Sequence, residues 1–127
     1  MAVIVIAEDE FLLADMLVSF LEDAGHHAIA APNGLAALDL VRKHETDLIV
    51  TDFMMPAMTG LEFAQAVRGD EAMSNIPIIL VSGAQASIGR AHPTLFDAVF
   101  DKPYVLDRLL KSIEDLLKDG RSLGTSD

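Results

Sequence analysis

The stretch Asp47-Leu48-Ile49-Val50-Thr51-Asp52-Phe53-Met54-Met55-Pro56-Ala57-Met58-Thr59-Gly60 decides how the chain reads. Leu48 to Thr51 is a short apolar run rich in β-branched residues, with Pro56 and Gly60 beyond it. That is the pattern of a buried parallel strand running into a loop. Asp52 then stands at the strand's carboxyl end, where open α/β sheets bind their ligands. A carboxylate is out of place within an apolar strand and well placed at its tip.

Three further segments have the same form. Val3 to Ala7 is apolar and stops at Glu8-Asp9-Glu10, Ile76 to Val81 stops at Ser82-Gly83-Ala84, and Ala98 to Phe100 stops at Asp101-Lys102-Pro103. His27 to Ala31 is a weaker strand closed by the turn cluster Pro32-Asn33-Gly34. Helical patterns alternate with these strands. Glu10 to Ala24 carries Leu13, Met16, Leu17, Phe20 and Leu21 on one side and is stopped by Gly25. Leu12 and Val18 widen that apolar face, which suits an oligomer contact or, as expected here, burial beneath neighbouring loops. Leu35 to His44 turns Leu38 and Val41 inward, Leu61 to Val67 forms a third helix, and Val105 to Asp119 is the most amphipathic segment. Gln85 to Pro93 contains Ser87, Gly89 and a closing proline, so one or two distorted turns are expected there. The pattern predicts one α/β domain over residues 1–119, a doubly wound five-stranded parallel sheet with helices on both faces, and a flexible tail over 120–127.

A chain of 127 residues with 51% hydrophobic content supports a single core. There is no cysteine, which excludes disulfides, thiol nucleophiles and thiolate metal sites. No apolar run reaches the roughly 18 residues of a membrane span and no basic region precedes the first strand, so a cytoplasmic protein is expected. The net charge of −11 and the nine scattered basic residues argue against nucleic-acid binding. The acidity reads as a solubilising surface, with a basic partner patch as the alternative.

The strand ends carry the chemistry. Glu8, Asp9 and Asp52 disfavour one another's ionisation, and a hard divalent ion such as Mg²⁺, with its oxygen ligands, relieves this. Glu8 and Asp9 could instead serve the dipole of the following helix. Lys102 and Ser82 favour the first reading, because an amine and a hydroxyl beside Mg²⁺ suit the oxygens of a phosphoryl group. Asp52 is then the nucleophile that forms an aspartyl phosphate. His26, His27, His44 and His92 read as surface or loop residues, Thr51 as a sheet residue, Met55 as core and Met54 as rim.

The acid pair, Asp52-Phe53-Met54-Met55-Pro56 with Gly60, Ser82-Gly83-Ala84 and Lys102-Pro103 together resemble the receiver domain of bacterial two-component response regulators, over about residues 2–118. The resemblance implies the flavodoxin-like strand order 2-1-3-4-5. It implies a Mg²⁺ site served by Glu8, Asp9 and Asp52, with Asp9 and Asp52 as side-chain ligands and the Met54 backbone carbonyl as a third. It makes Asp52 the phosphoacceptor, Ser82 the hydroxyl that moves onto the phosphoryl group, and Lys102 its ion-pair partner, followed by a cis peptide bond to Pro103. The phosphoryl donor would be a sensor histidine kinase or a histidine phosphotransfer protein, and the output a protein contact or a phosphorelay step. A homodimer is left open.

The chain departs from the family at three positions. Glu8 stands where the family often has Asp, and Gly83 where Ala usually follows the hydroxyl. Val99 occupies the place of the aromatic switch, which leaves open whether one operates, since alternation points Phe100 to the opposite face. Met54 and Ala84, two residues beyond Asp52 and Ser82, carry nothing able to orient a water, so slow self-dephosphorylation is expected. A flavodoxin-like nucleotide binder is disfavoured, because Glu8-Asp9-Glu10 would repel phosphate where a Gly-rich loop should follow the first strand, and two other functions compete. One is a receiver-like binding module that works without phosphorylation. The other is an aspartyl-phosphate phosphatase, against which Met54 speaks, since it stands where such enzymes place a second Asp.

Overall fold

The computed structural model describes residues 2–121. The elements alternate as β1 (Val3–Ala7), α1 (Phe11–Asp23), β2 (His27–Ala31), α2 (Gly34–Lys43), β3 (Leu48–Asp52), α3 (Gly60–Arg68), β4 (Ile78–Ser82), α4 (Ala86–Arg90), β5 (Ala98–Asp101) and α5 (Leu106–Asp119). The strands form one parallel sheet in the order β2-β1-β3-β4-β5, the order the resemblance implied. No described helix is long and apolar enough to cross a membrane.

Each strand face packs on its own set of helices. Val5, Ile49, Ile78 and Leu80 join Leu38 and Val41 of α2 and Phe63 and Val67 of α3 on one side. Ile4, Ile6, Leu48, Val50, Ile79 and Val81 join Leu17 and Leu21 of α1 and Leu109 and Ile113 of α5 on the other. β3, at the centre, is buried along its whole length, so both of its faces had to be apolar. Val99 and Phe100 fall on opposite sides, as alternation requires.

The helix ends follow local chemistry. The Asn33 side chain accepts from Ala36 N–H at 2.8 Å and starts α2, and Thr59 with Glu62 forms a reciprocal capping box at α3. After α1, Gly25 (φ 94°) donates to Glu22 O and His26 N–H to Leu21 O, which closes the helix in a Schellman turn.

Several expectations change. β4 begins at Ile78 and runs through Ser82, because Pro77 has no N–H for the ladder and the Ile76 carbonyl is taken by Arg68 Nη1 at 2.6 Å. α4, five residues long, keeps to the one or two turns expected of this segment. Its Gly89 is buried, and a Cβ there would collide with the Leu80 side chain and press on Val99, so this glycine is required for close packing of α4 on the sheet.

On α1 the buried residues are Ala14, Leu17 and Leu21. Val18 is partly buried against the core, but Leu12, expected beneath loops, is 79% exposed, and Met16, expected on the inward side, is 44% exposed. Both lie on the helical stripe that continues through Ser19 and Asp23, away from the sheet.

The expected tail from 120 is also altered at Arg121, while 122–127 lie outside the described residues. The Arg121 guanidinium bonds Asp97 Oδ1 at 2.9 Å, Thr94 O at 2.6 Å and Ser74 O at 3.3 Å. Asp97 also accepts from Arg68 at 3.1 Å and from Ile78 N–H at 2.9 Å. Burial and the neighbouring Arg121 lower the Arg68 pKa to about 10, against the opposing pull of Asp97, which leaves it charged at neutral pH. This network secures the amino-terminal edges of β4 and β5.

At the other edge, the loop after β3 is drawn tight. Met58 N–H bonds Pro56 O at 2.8 Å across Ala57, whose φ is 70°. Gly60 N–H then bonds Phe53 O at 2.7 Å. A Cβ on Gly60 would run into the Asp52 carbonyl oxygen, so α3 starts against the backbone of Asp52 itself. Gly60→Ala should therefore lower stability by roughly 1–3 kcal/mol through overpacking. Urea denaturation checks this, and an unchanged midpoint would contradict the close approach.

Candidate functional site

Parallel register assembles the strand ends. Ala7 pairs with Thr51, Asp52 with Val81 and Ser82 with Asp101, so Glu8, Asp52, Ser82 and Lys102 emerge at one edge of the sheet. Lys102 N–H donates to Ser82 O at 2.8 Å, which carries the pairing of β4 and β5 one residue further. The Lys102–Pro103 bond is cis, as the resemblance implied.

Lys102 Nζ lies 3.2 Å from both Glu8 Oε1 and Asp52 Oδ2. One ammonium therefore bridges two carboxylates of which little is exposed, 7% for Glu8 and 8% for Asp52. Their remaining oxygens are held by backbone: Glu8 Oε2 accepts from Glu10 N–H at 3.1 Å and Asp52 Oδ1 from Phe53 N–H at 2.8 Å. Thr51, fully buried, donates its hydroxyl to Asp52 O at 2.8 Å, a sheet-supporting role. Such bonds are what make a buried charge tolerable.

Burial raises the Glu8 pKa and the nearby Asp52 adds to this, while the Glu10 N–H and Lys102 oppose it. Burial alone would depress the Lys102 pKa, yet the two carboxylates outweigh it and the amine is held above its usual value. Tyr104, two residues on, has its phenol pKa raised by burial, which the Lys102 charge opposes and Glu8 and Asp52 reinforce.

Asp9 is exposed beside this pair. Glu8, Asp9 and Asp52 can each present one carboxylate oxygen, all within 4.8 Å of one another. An all-oxygen, all-anionic donor set of this size fits a hard divalent cation such as Mg²⁺. The Met54 side chain is 57% exposed at the rim, and Met55 is core, as expected.

Of the expected residues, Glu8, Asp9, Asp52 and Lys102 are thus brought together. The Ser82 hydroxyl is beside them but engaged elsewhere: it accepts from Gln85 N–H at 3.2 Å and donates to Gln85 Oε1 at 3.5 Å. Gln85 and Tyr104 escaped the sequence reading because neither belongs to a strand-end pattern. The only available signal was their closeness to Ser82 and Lys102.

Lys102→Met keeps length and removes the cation, leaving two buried carboxylates facing each other. Stability at neutral pH should fall by about 1–3 kcal/mol, with Mg²⁺ restoring more of it in the variant than in the wild type. Urea denaturation with and without Mg²⁺ measures both. Equal midpoints for the two proteins would contradict the bridging role.

Comparison with known proteins agrees with this geometry. The family model described as the response regulator receiver domain matches residues 4–114. The polar-differentiation response regulator DivK of Brucella anthropi is 31% identical over 118 residues, which cover 91% of this chain and 96% of that protein. Among solved structures, the receiver domain of the Francisella response regulator 1452 superposes with a TM-score of 0.85 at 25% identity, covering 93% of this chain and 98% of that one. The chemotaxis response regulator CheY4 of Vibrio cholerae gives 0.83 at 28% identity, covering 91% and 98%. A match over most of the chain, on a sheet of this order and with an acid site at this edge, places the protein in the response regulator receiver-domain family.

Proposed function

We propose that the protein accepts a phosphoryl group on Asp52 from a phosphohistidine donor and passes the signal on by a protein contact or a further transfer. The observation that carries this reading is the Lys102 ammonium held at 3.2 Å from Asp52, beside two more acids. A lysine fixed against the attacking carboxylate is placed to follow the charge onto the incoming phosphoryl oxygens. In the transfer, the bond from phosphorus to the donor imidazole breaks as one forms to an Asp52 carboxylate oxygen. Asp9, Asp52 and the Met54 carbonyl would hold Mg²⁺, with Glu8 supporting them, and the ion would neutralise developing charge on the phosphoryl oxygens. Ser82 would then turn its hydroxyl onto the phosphoryl group.

The surroundings suit a donor protein. Phe11, Leu12 and Met16 of α1, Met54, and Val105 at the start of α5 are large, apolar and exposed. An apolar groove lined by Leu13, Met16, Pro103, Tyr104 and Leu106 opens beside Lys102. Exposed apolar side chains near a buried acid site fit a partner that must press close to deliver its phosphoryl group, with an acid-rich surface favouring a basic one. A sensor histidine kinase or a histidine phosphotransfer protein meets that description.

Incubation with acetyl phosphate and Mg²⁺ should add one phosphoryl mass to the wild type and none to Asp52→Asn, because an amide keeps the shape but is not a nucleophile. Equal mass gain in the variant would overturn the assignment. After donor removal, a Met54→Asn, Ala84→Glu variant should lose the phosphoryl mass faster than the wild type, by up to about 10²-fold if its polar groups act as a general base. Decay of the wild type at the same rate or faster would show that these positions do not set the lifetime.

A further inference from the structure

We propose that Gln85 is a positioning residue that restrains the Ser82 hydroxyl in the resting protein and so sets how readily Asp52 is phosphorylated. This rests on the reading of Asp52 as phosphoacceptor. The Ser82 side chain is buried, 1% exposed, and both of its polar contacts are to Gln85. Gln85 stands at the N-cap of α4, yet its side chain caps no helical N–H and turns back to Ser82.

A hydroxyl has one proton to give. Here that proton is directed at Gln85 Oε1 over 3.5 Å, while the Gln85 N–H is accepted at 3.2 Å. The donated contact is long, at the outer limit of a hydrogen bond, so it is easily given up. A phosphoryl oxygen on Asp52 is a stronger, charged acceptor and competes for the same proton.

The rest of α4 is anchored independently. Gly89 nests against Leu80 and Val99, and Arg90 pairs with Asp101 at 2.8 Å. Between these anchors and β4, Gly83 and Ala84 are exposed, and the space around Gly83 is open even to a Cβ. Ser82 can therefore turn without displacing the helix, and the side chain that resists the turn is Gln85. During transfer from acetyl phosphate, the phosphorus–oxygen bond to acetate breaks as the Asp52–phosphorus bond forms and acetate leaves. The Ser82 proton stays on its oxygen and only changes acceptor.

The rate of phosphorylation by acetyl phosphate with Mg²⁺, followed by intact mass, tests this in four proteins: wild type, Gln85→Leu, Ser82→Ala and the double variant. Gln85→Met repeats the measurement with an unbranched side chain. Loss of one weak neutral acceptor should speed phosphorylation by about two- to fivefold. The gain should vanish in the Ser82→Ala background, an outcome that a merely structural role of Gln85 would not produce. An unchanged or slower rate in both Gln85 variants would overturn the proposal, as would a gain that persists without the Ser82 hydroxyl. Absence of any mass gain in the wild type would instead overturn the phosphoacceptor reading beneath it.

Discussion

The Lys102 ammonium, shared between Glu8 and Asp52 at 3.2 Å from each, holds together the strand ends at which the site forms. Two carboxylates at this depth repel each other and are costly to desolvate, and one cation with two backbone N–H groups offsets both effects. The bridge ties β1, β3 and the end of β5 together at the point where ladder hydrogen bonding stops. Under the proposed function, the cation that compensates the resting carboxylates is also the group that would meet an incoming phosphoryl charge.

The fold supplies that arrangement through order and register more than through local chemistry. With β3 at the centre and β1 and β4 on either side, Asp52 has Glu8 on one flank and Ser82 on the other. Gly60 lets α3 begin against the Asp52 carbonyl, and Gly89 lets α4 settle onto Leu80 and Val99. Opposite the site, Arg68 and Arg121 grip Asp97 and the carbonyls of Ser74, Ile76, Thr94 and Leu95. The sheet is thus pinned at its amino-terminal edge, while at its carboxyl edge the loop after β3 is drawn tight and Gly83 and Ala84 after β4 are exposed.

Much of this was legible in the sequence because the signals were local. The β-branched runs that end in Asp52, in the Glu8-Asp9 pair, in Ser82 and in Lys102 identified the strands, and parallel pairing then forced their ends together. What was not legible depended on distant partners. Arg121 looks like part of a polar tail until the fold brings Asp97 to it. Gly89 looks like a flexible point until Leu80 and Val99 lie beneath it. Met16 looks inward and Leu12 coverable by loops until the sheet is in place, when the stripe they share with Ser19 and Asp23 turns away from it. The hold of Gln85 on Ser82 depends on the loop geometry that begins α4, which no spacing rule encodes.

In the proposed function, the Lys102 bridge and the Ser82–Gln85 contact are the resting form of a phosphoryl-binding site. A crystal structure of the protein with Mg²⁺ and beryllium fluoride, which mimics a phosphoryl group on a carboxylate, tests it most directly. Beryllium is expected on an Asp52 oxygen, Lys102 Nζ and the Ser82 hydroxyl both on fluorines, and Mg²⁺ on Asp9, Asp52 and the Met54 carbonyl. Lys102 still bridging Glu8 and Asp52, with the Ser82 hydroxyl still on Gln85 and no adduct at Asp52, would contradict it.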